Sequence, residues 1–101
     1  MSDERFTDSW IRHRIEGAYG PFRIRSELNQ KGVEKSLVDI KLSELTIHWS
    51  DIAQQAWQKK FKQLPEDWPE KAKQIRYLQY RGFYSNDIEI MFDELISNND
   101  R

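Results

Sequence analysis

Apolar residues recur every three or four positions along almost the whole chain. Phe6, Ile11, Ile15 and Ala18 mark one face of a first helix that ends before Gly20, with Trp10 to one side. Pro21 opens a second helix, because its missing N–H would have no intrahelical partner in a first turn; Ile24 and Leu28 face inward, and Gly32 supplies a left-handed stop. A third helix spans about Glu34 to Leu45, with Val38, Leu42 and Leu45 inward. The same order then returns. Ser50 is placed to cap a helix bearing the stripe Ile52, Ala53, Ala56, Trp57 and Phe61, and the turn-rich stretch Leu64 to Pro69 follows. Pro69 starts a helix in which Ala72, Ile75 and Leu78 face the core until Gly82, and Ser85 caps a last helix with Ile88, Met91, Phe92 and Leu95 inward. No stretch alternates at two, so the chain is expected to be all-α, with polar ends at Met1–Arg5 and Ser97–Arg101 left loose.

The return is a duplication. A shift of fifty positions places Leu28 on Leu78, Lys31 on Arg81, Gly32 on Gly82, Val33 on Phe83, Val38 on Ile88, Leu42 on Phe92 and Leu45 on Leu95. Self-similarity at such a period is the mark of stacked supersecondary units. The expected architecture is two tandem three-helix, helix-turn-helix-like repeats, residues 1–47 and 48–101, forming a short curved solenoid. Units of this size bury too little surface to be robust alone, so each should lean on the other. Ile40 and Ile90 also match, and both project away from the inner stripe of their helices. Their recurrence points to packing on a neighbouring repeat ahead of a partner groove.

Composition sharpens this picture without changing it. Thirteen per cent aromatic residues within 38% hydrophobic content suffice for a packed core, and 33% charged residues give a solvated surface. The formal charge of −1 hides segregation: Lys71, Lys73, Arg76 and Arg81 face only Glu70 in one segment, while Asp87, Glu89, Asp93 and Glu94 cluster in the next. Without cysteine there is no disulfide framework, thiol nucleophile or thiolate metal site. The sequence carries no signal-peptide core and no apolar run of the roughly 18 residues that a membrane helix needs, so a soluble, cytoplasmic protein is expected.

Chemistry of the catalytic kind finds little support. His13 and His48 are 35 positions apart and in no metal-ligand spacing, carboxylates such as Asp93 and Glu94 lie on a solvated face, and no glycine-rich phosphate loop is present. The stronger constellation lies on the helix from Glu70 to Arg81. With Ile75 marking the core direction, Lys73, Tyr77 and Tyr80 fall nearly opposite it, and Arg76 and Arg81 take the flanks. Tyrosines among cations suit nucleic acid or an acidic groove on a protein partner. The candidate binding surface is extended by Lys59, Lys60 and Lys62 at the end of the preceding helix, by Arg23 and Arg25 on the matching helix of the first unit, and by Arg12 and Arg14 before them. The alternative for these residues is a solvated face with one tyrosine covering the seam between repeats. Lys31 and Lys71 sit close enough to the apolar direction to snorkel over the core.

Several runs carry a resemblance. Asp3-Glu4-Arg5-Phe6, Trp10-Ile11-Arg12-His13-Arg14-Ile15 and Gly17-Ala18-Tyr19-Gly20-Pro21-Phe22-Arg23-Ile24-Arg25-Ser26-Glu27-Leu28-Asn29-Gln30-Lys31-Gly32-Val33 resemble the central repeat of the RecX regulatory family. Ala56, Lys59-Lys60-Phe61, Lys73, Leu78-Gln79-Tyr80-Arg81-Gly82-Phe83 and Ile88 resemble that family's final repeat. The resemblance implies a non-enzymatic, cofactor-free modulator that lodges in the groove of the RecA recombinase filament and inhibits its recombination and ATPase activity. A monomer that contacts single- or double-stranded DNA weakly and no membrane is expected. Family members usually carry one more N-terminal repeat. A helix-turn-helix DNA-binding protein, with Lys73, Arg76 and Arg81 on duplex, is the competing expectation.

Overall fold

The computed structural model describes residues 3–99. Among them six helices follow in order: α1 Asp3–Glu16, α2 Pro21–Gln30, α3 Lys35–Ser43, α4 Trp49–Lys60, α5 Trp68–Tyr80 and α6 Ser85–Asn99, with no strand. They form two tandem three-helix domains, and within each domain every helix touches the other two. Asp3–Arg5 and Ser97–Asn99, expected to be loose, are helical; Met1, Ser2, Asp100 and Arg101 lie outside the described residues. The described part is elongated, 49 × 25 × 20 Å along its principal axes.

Each domain has its own core. Ile11, Ile24, Leu28, Val33, Val38 and Leu42 fill the first. Ile52, Ala53, Ala56, Trp57, Leu78, Phe83, Ile88, Met91 and Phe92 fill the second, which also takes in Ala18 from beyond the end of α1. Ala18 belongs to no helix: it adopts a left-handed backbone (φ 62°), is fully buried, and plugs one domain into the other. Ile15 and Trp49 pack against both cores.

The duplication extends to individual hydrogen bonds. Val33 N–H donates to the Leu28 carbonyl at 3.0 Å, and Phe83 N–H to Leu78 at 3.1 Å. Gly32 and Gly82 hold the left-handed position of each turn, at φ 86° and 101°, where a Cβ would be strained. Leu28 and Leu78 are both fully buried.

Three local expectations change. Ser50 is not a cap but a buried residue inside α4, whose N-cap position is His48. Pro69 does begin a helix, but behind Trp68, and Asp67 caps it by accepting from Glu70 N–H at 2.9 Å. Ser85 is the first helical residue of α6 rather than its cap; Ile88 N–H reaches the Tyr84 carbonyl, and Asp87 accepts from the Tyr84 backbone instead. The phase of α5 also differs. Its buried residues are Gln74 and Leu78, while Ile75 is only partly covered. Gln74, 1% exposed, accepts from Trp57 Nε1 at 2.7 Å and donates to the Gln63 carbonyl and Glu70, so its burial is compensated. Ile40 and Ile90 are 56% and 39% exposed and do not pack between repeats.

Candidate functional site

Two short-range rules place the residues that matter. Positions three and four apart on a helix share a face, and cations settle over aromatic rings. On α1 and α2 these rules build a ladder of alternating side chains. Lys31 Nζ lies 4.5 Å from the centre of Trp10, and Arg14 lies 4.8 Å from Trp10 and 4.9 Å from Tyr19. Arg23 continues it, 4.8 Å from Tyr19 and 5.4 Å from Tyr80 of α5, so the series crosses from the first domain to the second. Glu27 holds three of its members. Its carboxylate accepts from Trp10 Nε1 at 3.2 Å, lies 3.0 Å from Arg14 Nε as an ion pair too poorly aligned for a hydrogen bond, and meets Arg23 Nε at 3.4 Å. Burial works against the Arg23 charge, but hydrogen bonding to Tyr80 and Glu27 outweighs it and raises the guanidinium's pKa above its ordinary value.

The ladder crosses a joint made of main chain. Gly20 N–H donates to the Arg81 carbonyl at 2.8 Å and Phe22 N–H to the Gly82 carbonyl at 2.9 Å. Carbonyls of the turn that follows α5 thereby satisfy free N–H groups at the start of α2. The approach is so close that a methyl group on Gly20 would overlap the Gly82 carbonyl, and one on Gly82 would come within 2.7 Å of the Arg23 nitrogen. Arg81 completes the joint. It donates to the carbonyls of Gly17 and Ala18, where the dipole of α1 ends negative, and its guanidinium lies 3.8 Å from the centre of Tyr19. Phe22 meets Tyr84 edge-on across the same seam, and both remain exposed.

The sequence-selected residues therefore separate into groups. Arg14, Arg23 and Arg81 converge on Tyr19, and Arg23 and Arg81 reach across between the two domains there. Lys73, Arg76 and Tyr80 occupy the outer face of α5, with Tyr80 72% exposed. Tyr77, expected opposite the core, is half-buried instead: it meets Phe61 edge-on at 5.4 Å and packs against the second core. Lys60 lies 5.7 Å from that ring, and Lys59 and Lys62 line the glutamine-rich outer side of α4 with Gln54, Gln55 and Gln58. Arg25 is paired with Asp39 at 3.7 Å on the outer side of α2 and α3, and Arg12 is exposed on α1. Lys41 bridges α3 to α1; its Glu4 hydrogen bond, together with Asp8, holds its pKa above the ordinary lysine value. Among the described residues no three His, Asp or Glu side chains converge to hold a metal, and His13 and His48 are exposed.

Comparison with known proteins assigns both halves. The family model described as RecX, second three-helix domain, matches residues 2–42, and that described as RecX, third three-helix domain, matches residues 50–90. The chain belongs to the RecX family. The protein named Regulatory protein RecX in Serratia proteamaculans is 48% identical over 93 residues, covering 91% of this chain and 55% of the relative. That of Yersinia enterocolitica is 41% identical over 97 residues, with 95% and 58% covered. That of Pseudomonas syringae pv. tomato is 42% identical over 84 residues, with 82% and 54% covered. The chain thus spans little more than half the length of the RecX relatives it matches.

Within this RecX pair of domains, sequence reasoning found the cations and missed what organises them. In the sequence Trp10 stood to one side of the first helix, and Tyr19 and Glu27 appeared only within the run that resembles the family's central repeat. The available signal was the spacing of Glu27 from Arg23, an i,i+4 pair. The contacts to Trp10 and Arg14 reach across separate helices and leave no trace in periodicity.

Proposed function

We propose that this chain is the filament-binding part of a non-catalytic RecX regulator, which engages the RecA recombinase filament and restrains its recombination and ATPase activity. The observation that carries the reading is the ladder of Trp10, Tyr19 and Tyr80 with Lys31, Arg14 and Arg23, continued by Lys73 and Arg76 on the outer face of α5. Aromatic and arginine side chains held by packing are favoured anchors for a protein groove, because little entropy remains to be lost on binding. Membership of the RecX family supports the choice of RecA as partner. The division into residues 1–47 and 48–101, action as a monomer in the cytoplasm, and weak contact with the filament's DNA belong to the same proposal. No helix among the described residues is long and apolar enough to cross a membrane.

The test is co-sedimentation with RecA assembled on single-stranded DNA, alongside naked single strand and naked duplex. Enrichment in the filament pellet over both naked controls supports the reading. Tight, sequence-dependent retention on duplex, with no preference for the filament, would replace it with a helix-turn-helix DNA binder. Because Lys and Arg contacts to phosphate release counterions, any DNA share of the binding should weaken as salt rises.

A further inference from the structure

Each domain has a groove between its second and third helices, and the two grooves are completed differently. In the first, Arg25 of α2 reaches Asp39 of α3 at 3.7 Å, and the space that remains is about 230 Å³. The shift of fifty that superimposes the two halves places Ile75 on Arg25 and Glu89 on Asp39. The second groove therefore keeps the carboxylate and has an apolar side chain in place of its cation. Its space is larger, about 440 Å³.

α5 also gives the second groove an extra wall. Pro21 opens α2, but its match, Lys71, comes three residues after the start of α5, so the first turn of α5 has no counterpart. That turn brings Trp68 to the groove alongside Ile75 and Phe92, with the indole 69% exposed. On α6, Asp93 stands one turn from Glu89 where the first domain has Ser43, and both carboxylates line the groove. Ile90, 39% exposed, adjoins them. Among the described residues neither Glu89 nor Asp93 forms an ion pair. Lys71 lines the same groove, half-buried, with its ammonium 5.4 Å from the centre of Phe92. Two carboxylates against one ammonium leave the groove a single negative charge beside an uncovered indole.

We propose that the groove between α5 and α6 is a docking site for an arginine flanked by apolar side chains on a protein partner. The incoming guanidinium takes the part that Arg25 plays in the first domain. It meets Glu89 and Asp93, its stem and planar face lie along Trp68, and the flanking apolar side chains cover Ile75 and Ile90. Charge selects the occupant. One guanidinium brings the groove to neutrality, whereas an acidic segment or a phosphate backbone would face two carboxylates, and a wholly apolar segment would strip both of water. Lys73, Arg76 and the ladder lie outside this groove, so the inference does not depend on what they grip.

The test titrates the 101-residue chain with the peptide acetyl-Ala-Leu-Arg-Leu-Ala-amide, following the Trp68 indole N–H and the Glu89, Ile90 and Asp93 amides by NMR. These signals should move saturably, and the same peptide with glutamate in place of arginine should leave them still. Glu89→Gln, a conservative change at an exposed position, should weaken the peptide about two- to fivefold, the range of an exposed ion pair. Ile75→Arg, which rebuilds the internal pair of the first domain, should weaken it at least as much; if that variant does not fold, Glu89→Gln decides alone. The proposal is overturned if the arginine peptide leaves the groove signals unmoved, if the glutamate peptide moves them equally, or if either folded variant binds as tightly as the wild type. Movement of the same signals on concentrating the chain without peptide would also overturn it, by showing a second copy in the groove.

Discussion

Gln74 shows how one residue can decide the orientation of a helix. Its amide is enclosed with the indole of Trp57, and the 2.7 Å bond between them lets a polar side chain occupy a position where leucine would be expected. Gln74→Ala leaves the Trp57 N–H without its partner, and should lower stability by about 1–3 kcal/mol in urea unfolding, more than the small volume of the amide alone would cost. Asp87 offers a second test at this scale. Partial burial raises its pKa above the ordinary 3.8 and outweighs the Tyr84 backbone bond, which lowers it. The folded state therefore holds this proton more tightly than the unfolded chain. The contribution favours folding below the unfolded value and is lost as pH rises through the folded one. Asp87→Asn should match the wild type at the acid end and gain on it across that window, as followed by urea midpoints at a series of pH values. A wild type that gained on the variant there would reverse the sign.

At the scale of the element, the helices are held chiefly by what they bury. α5 illustrates it, since Pro69 and the Asp67 cap set its start, Gly82 its end, and Leu78 its anchorage in the second core. Leu78→Ala should cost about 2–5 kcal/mol by loss of buried surface and the cavity left behind, measured by denaturant unfolding. The borders marked by Pro21, Gly32, Pro69 and Gly82 were legible in the sequence to within a residue or two, because proline and glycine act through their own backbone, whereas the outer ends of α1 and α6 run three residues further than expected. The phase of α5 was not. Ile75 and Leu78 fit one apolar stripe, and only the indole on α4 shows that the buried stripe is turned toward Gln74.

At the scale of the molecule, rigidity comes from main chain meeting main chain. Gly82→Ala and Gly32→Ala impose the same strain at positive φ, but only the first drives a methyl group into Arg23. Gly82→Ala should therefore unfold at lower urea than Gly32→Ala and loosen the joint, seen as a radius of gyration above the 14.9 Å of the packed Cα trace. The outer face of α5 can be altered without touching that joint. Lys73 and Arg76 are exposed, so Lys73→Glu with Arg76→Glu should leave the melting temperature nearly unchanged while reducing recovery with RecA filaments several-fold, on the order of 1 kcal/mol or more. Equal recovery would remove this face from the proposed contact.

By itself the sequence determined the helical class, the duplication, and the proline and glycine borders of α2 and α5, because these rest on the spacing of apolar positions and on the backbone limits of single residues. Tertiary structure alone decided that Arg14, Arg23 and Arg81 surround Tyr19, that Glu27 fixes the ladder, and that one glycine turn is filled while its copy stands open. Those facts depend on how two rigid bodies are set against each other. That placement comes from contacts between residues up to 64 positions apart, a separation at which local periodicity carries no information.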